Sequence, residues 1–203
     1  MRWSVAPFAL LVVVSAFSGP VSAASSDPNV SVIERFHATL LNVMKQGKAL
    51  GIAGRFRKLE TEIGQDFDLA AMTQFTVGPK WVTMSAPDKA SVVAAFRRMT
   101  VASYARNFAE FNGQVFTLES KVDVRGPDRL VKSQIIPKDA KPVNLVYRLR
   151  EKSGGVKVID VIFESVSQVA MRRADFASTV NAGGAAALVA KLDEISDKLM
   201  ETN

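Results

Sequence analysis

Val143-Asn144-Leu145-Val146-Tyr147-Arg148-Leu149-Arg150-Glu151, a break at Ser153-Gly154-Gly155, and then Val156-Lys157-Val158-Ile159-Asp160-Val161-Ile162-Phe163 decide the fold. In the first segment Val143, Leu145, Tyr147 and Leu149 fall on one face against Asn144 and Arg148, the period of two that marks a strand with one side in a core. The second segment puts Val158 and Ile162 on one face and Ile159, Val161 and Phe163 on the other, so it is expected to be covered on both sides. Upstream, Pro137 to Pro142 and Gly126-Pro127-Asp128 are reversals that bound two more strands, Gln114 to Val124 and Arg129 to Ile136. Short connections make the four strands an antiparallel meander.

On both sides of this sheet the hydrophobic period becomes helical. Ile33, Phe36, Leu40, Leu41 and Met44 predict a first helix from about Val30 to Leu50, interrupted by Gly51 and Gly54. Phe56, Leu59 and Ile63 mark a second, ending near Gly64. Asp66 or Asp68 is placed to cap a third, Leu69 to Val77, which Gly78-Pro79 stops. Ser85-Ala86-Pro87-Asp88 combines a capping hydroxyl, an early proline and an acidic residue three positions on, and starts a long helix to about Phe108. After the sheet, Val166, Val169, Phe176 and Val180 define one helix and Leu188, Leu192, Ile195 and Leu199 another, parted by Gly183-Gly184. The expected fold is α+β: a four-stranded antiparallel sheet wrapped by about six helices.

The first residues read as an export leader. Arg2 is a positive start, Val5 to Phe17 a short apolar stretch, and Val21-Ser22-Ala23 a small-residue cleavage site, so residues 1–23 are expected to be a signal peptide and 24–203 one domain. The apolar stretch falls short of the roughly 20 residues a membrane-spanning helix needs. The chain has no Cys, which removes disulfides and a lipoprotein anchor, and a formal net charge of +6. Nucleic acid is not expected as a partner, since no Lys/Arg run with interleaved aromatics occurs.

Catalytic and metal chemistry find little support. His37 is the single imidazole and has no Ser or Cys partner in a nucleophile motif; with no Cys and no Asp/Asn loop spacing, no metal or cofactor is expected. Asp66 and Asp68 fit helix capping better than acid/base work. Asp160, flanked by apolar residues, is the best acid an enzyme could use here, and Arg172, Arg173 and Lys191 the contacts an adaptor would use. The chain is expected not to be an enzyme.

What remains is apolar surface that can converge between sheet and helices. Phe96, Met99, Tyr104 and Phe108 lie on the long helix. Phe116 and Leu118 lie on the first strand, Leu145 and Tyr147 on the third, Val158 and Phe163 on the fourth, and Phe176 and Val180 on the helix after it. Periodicity alone does not separate a filled core from a cavity lined by the same side chains.

Asp66-Phe67-Asp68, Gly78 with Trp81, Phe96 followed by Tyr104, Phe108, Phe111 and Gly113, Val158-Ile159-Asp160-Val161, Glu164 to Val169 and Arg173-Ala174-Asp175-Phe176 together resemble the MlaC family, also described as the toluene-tolerance auxiliary component of an ABC transporter. The resemblance spans about Val30 to Leu199. It departs at Pro79, often basic in the family, at Phe111, commonly Tyr, and at Ser165, usually Gly. Met171 to Phe176 and the Gly183-Gly184 break also resemble the hopanoid-associated HpnM branch. The resemblance implies a periplasmic, monomeric lipid carrier with an apolar cavity lined by the residues just named. It further implies a cargo of phospholipid or hopanoid, exchange with MCE-domain or other membrane-bound complexes, and transient contact with the membrane surface.

Overall fold

Asp27 opens the first helix: its carboxylate accepts the Asn29 backbone N–H at 2.8 Å, and Pro28 occupies the first turn, where a missing N–H costs nothing. This helix, α1 (Pro28–Lys45), buries Ile33, Phe36, Leu40 and Val43 along one stripe. The computed structural model describes residues 27–201, so the expected leader over residues 1–23 lies outside the described residues.

The helical stretch breaks twice, at Gln46, which the sequence did not signal, and at Gly51, where the interruption was expected. The chain turns at Gln46 because Gly47 lies against the backbone of Ala109, where an added Cβ would stand 1.7 Å from the carbonyl oxygen. α2 (Gly47–Asp66) then runs through Gly54 and is kinked only at Gly51, whose φ is 59°. Asp68, not Asp66, caps α3 (Leu69–Val77) by accepting the Ala71 N–H at 2.9 Å. A 3-10 turn, Gly78–Thr83, leads to α4 (Ala86–Asn107), where the capping residues act reciprocally: Ser85 Oγ accepts the Asp88 N–H at 3.2 Å and donates to the Asp88 carboxylate at 2.7 Å.

The meander is β1 (Val115–Arg125), β2 (Asp128–Ile136), β3 (Val143–Lys152) and β4 (Gly155–Phe163), antiparallel and in sequence order. Two expected counts need correction. Among the described residues the sheet has five strands, because β5 (Val166–Ser167) folds back on Ile162 and Phe163 through Glu164 and Ser165, both at positive φ, the geometry of a two-residue hairpin turn. Among the described residues there are five α-helical spans, because the two segments expected after the sheet abut as α5 (Gln168–Met200), with the expected break present as a non-helical kink at Gly184 (φ 61°, ψ −144°).

A bulge changes how β4 faces the core. Leu149 pairs with Val158 and Arg148 with Asp160, which leaves Ile159 as an extra residue. Beyond it Tyr147 pairs with Val161 and Leu145 with Phe163, so Val158, Val161 and Phe163 share the inner face that strict alternation would have divided.

The helices gather on that inner face. α1 packs on β1, β2 and β4, and α2, α3 and α5 pack on β4; α4 packs chiefly on α2, α3 and α5. On the outer face Asp128 is buried to 1% exposure beneath two arginines: the Arg148 and Arg150 Nε atoms each donate to its carboxylate at 2.6 Å. These bonds hold the Asp128 carboxyl below its ordinary range, Arg150 contributing most, so the stabilisation is present above about pH 4 and is lost as pH falls through the folded value. Because both arginines reach water, Asp128→Asn is expected to lower stability at neutral pH by about 1–2 kcal/mol, read by urea unfolding.

Candidate functional site

α4 rests chiefly on α2, α3 and α5, and a space of about 410 Å³ opens between it and the sheet. Phe96, Met99, Tyr104 and Phe108 of α4 form one wall. Ile135 of β2, Leu145 and Tyr147 of β3, and Val161 and Phe163 of β4 form the other. Phe67 and Met72 close it between the end of α2 and α3, and Gln168, Val169 and Arg172 from the first turns of α5 also border it.

Phe96, Met99, Tyr104, Phe108, Leu145, Tyr147 and Phe163, all expected from sequence, thus line one space. The other expected residues do not. Val158 is fully buried, and its carbonyl accepts the Asp68 N–H at 2.9 Å. Phe116 stacks on the His37 ring, centroids 4.2 Å apart, while Leu118, Phe176 and Val180 pack into the surrounding core. Phe67, Met72, Ile135 and Val161 were missed as lining residues. Phe67 had a signal, an aromatic between two carboxylates, but nothing local said where it would point.

The interior is electrically quiet. Burial pushes the Tyr104 and Tyr147 hydroxyls well above their ordinary values and His37 down to about 4, so all three are neutral at pH 7. His37 Nε2 lies 3.0 Å from the Tyr147 hydroxyl, which gives each buried polar tip a partner. Phe36 joins the same cluster, edge-on to Phe67 at 5.0 Å and to Tyr104 at 5.4 Å.

Carboxylates are engaged elsewhere. Asp160 accepts the Ser167 hydroxyl at 2.6 Å and the Val169 N–H at 3.2 Å; it fastens the start of α5 to β4 and is absent from the pocket lining. Asp66 is held by Arg35 Nη2 at 2.5 Å, and Glu62 beside it is pushed up by burial and by the neighbouring carboxyl. Of the suggested adaptor cations, Lys191 pairs with Glu194 at 3.0 Å and Arg173 lies over Gly78. Among the described residues there is no His/Cys/Asp/Glu group able to hold a metal, and no helix long and apolar enough to cross a membrane.

The family model described as MlaC protein matches residues 34–194, a span that includes every residue lining the pocket. The chain belongs to the MlaC family. Among solved structures, this MlaC-family fold is similar to a phospholipid-binding protein from Ralstonia solanacearum determined in complex with a phospholipid. The TM-score is 0.74 and the identity 21%, over 85% of this chain and 98% of that one. No curated protein matches the chain.

Proposed function

We propose that this MlaC-family protein is a non-covalent phospholipid carrier that holds hydrocarbon between α4 and the sheet. The observation that carries the reading is the gap itself: about 410 Å³, lined mainly by apolar and aromatic side chains of β3, β4 and the α4 region, with no carboxylate or imidazole in its lining. Exposing hydrocarbon to water costs roughly 0.8 kcal/mol per CH2, so a lipid leaves a bilayer only for a site that covers its chains. A space of this size lies in the range of small-molecule sites, about 300–1,000 Å³. The Ralstonia solanacearum protein of similar fold, described as phospholipid-binding, supports phospholipid as the cargo class. The absence of an acid or base facing the space supports binding over catalysis.

Family membership supports a wider role of the following kind. The protein is exported to the periplasm by cleavage after Ala23. It works as a monomer, touches membranes only transiently, and exchanges lipid with MCE-domain or similar complexes of the inner and outer membranes. With Arg2 removed in the leader the formal charge is +5, against +6 for the whole chain, and it favours approach to anionic surfaces.

Protein purified from its own host without detergent is expected to carry near-stoichiometric phospholipid, visible as a mass adduct in native mass spectrometry and identified after denaturing extraction. A hopanoid in the extract would reassign the cargo to the HpnM type. Protein that is empty and takes up no added lipid would overturn the carrier reading.

A further inference from the structure

The pocket has two chemically different sides. The sheet wall is apolar apart from the Tyr147 hydroxyl, which His37 partners. On the helical side Thr100, Ser103 and Asn107 follow one another at spacings of three and four along α4, and Gln168 and Arg172 stand four apart on α5, so each set forms a polar stripe facing the gap. Ser103 is already satisfied by the Met99 carbonyl, Gln168 donates to the Val166 carbonyl and Asn107 is exposed, but covering the remaining donors of Arg172, Asn107 and Gln168 with hydrocarbon would strip their water, which is costly. An occupant with an acceptor-rich end satisfies them.

The sign of that end follows from the lining. Arg172 is its only charged side chain, and at 29% exposure it stands between the interior and solvent, where the head of a lipid with buried chains must lie. Its nearest carboxylate, Asp175, is 3.9 Å away, beyond hydrogen-bonding distance. The helix start offers no competing anion site, because the Val169 N–H is given to Asp160 and the Ala170 N–H to Ser167. A guanidinium presents paired donors that match phosphate oxygens.

We propose that Arg172, assisted by Gln168 and Asn107, holds the phosphate diester of the cargo, making the protein selective for phosphate-bearing lipids over neutral ones with the same chains. This rests on the carrier reading.

The test offers the purified protein dioleoyl phosphatidylglycerol and dioleoylglycerol in competition and weighs the retained lipid by native mass spectrometry. The expected preference is about 10- to 100-fold for the phospholipid, lost in Arg172→Gln, whose folding is checked by circular dichroism. Equal retention of both lipids by the unaltered protein, or an undiminished preference in Arg172→Gln, overturns the proposal and leaves the carrier reading standing. Retention of neither lipid removes the carrier reading and this inference with it. Millimolar inorganic phosphate is expected not to displace the phospholipid; displacement would reassign the rim to a free anion and overturn the lipid assignment.

Discussion

Ser103→Trp is expected to empty the protein of lipid while leaving it folded. Ser103 is half-buried on the pocket side of α4, between Thr100 and Asn107, and its hydroxyl bonds only within its own helix, to the Met99 carbonyl at 2.8 Å and the Met99 sulfur at 3.6 Å. An indole there grows into open space, so the usual penalty for overpacking a close-packed core is largely avoided and stability should move by about 1 kcal/mol or less. Retained lipid should fall at least about tenfold, since the ring occupies volume that the acyl chain needs. Val158→Ala is the matched control: Val158 is fully buried but outside the lining, so it should cost about 1–3 kcal/mol of stability and leave lipid retention unchanged. A folded Ser103→Trp protein that still carries its lipid would place the cargo elsewhere.

The second large effect is a dependence of stability on pH that traces to one ring. His37 is buried, stacked on Phe116, and lowered by desolvation from 6.5 to about 4. The folded protein therefore binds this proton less readily than the unfolded chain does. Stability from His37 is intact above pH 6.5, declines as pH falls from there, and is fully lost below about pH 4. The difference in pKa corresponds to about 3 kcal/mol. Urea unfolding at pH 7 and pH 4 should thus show the unaltered protein losing about 3 kcal/mol more than His37→Gln over the same interval. The comparison matters because carboxylates such as Asp128 and Asp68, whose values are lowered in the folded state, also withdraw stability in acid, near and below pH 4, in both proteins. Equal losses in the two proteins would mean that the imidazole reaches water. Because Tyr147 meets both His37 and the pocket, acid that charges the ring disturbs the wall of the site from behind.

Element identity was largely legible in the chain, because local chemistry specifies it. Ser85, Pro87 and Asp88 mark the start of α4 through groups that bond to each other. The two glycines at positions 183 and 184 mark the kink that divides α5 into two helical segments. Other features depend on partners distant in sequence. Gly47 ends the first helix early because of Ala109, which no local pattern reveals. Val158 and Val161 stand an odd number of residues apart, and simple alternation assigns them to opposite faces until the extra residue at Ile159 is known. The site divides in the same way: the α4 aromatics follow from a single helical stripe, whereas Ile135, Phe67 and Met72 reach the pocket only through the packing of three separate elements.

The extra residue in β4 acts as a frameshift in a two-letter code. Val158 belongs to the frame before it, Val161 and Phe163 to the frame after, and Asp160 is thereby set on the side where Arg148 lies opposite and Ser167 is within reach. Deleting Ile159 would leave Val158 opposite Leu149, Asp160 opposite Arg148 and Val161 opposite Tyr147, an unbroken ladder with each side chain on its present face, whereas deleting Val161 would draw Ile162 and Phe163 one place back and exchange their faces. Loss of one residue past the bulge should therefore be far less tolerated than the same loss among the exposed residues of the Pro137 to Pro142 connection, so related chains are expected to vary in length there and to keep the spacing from Asp160 to Phe163 fixed.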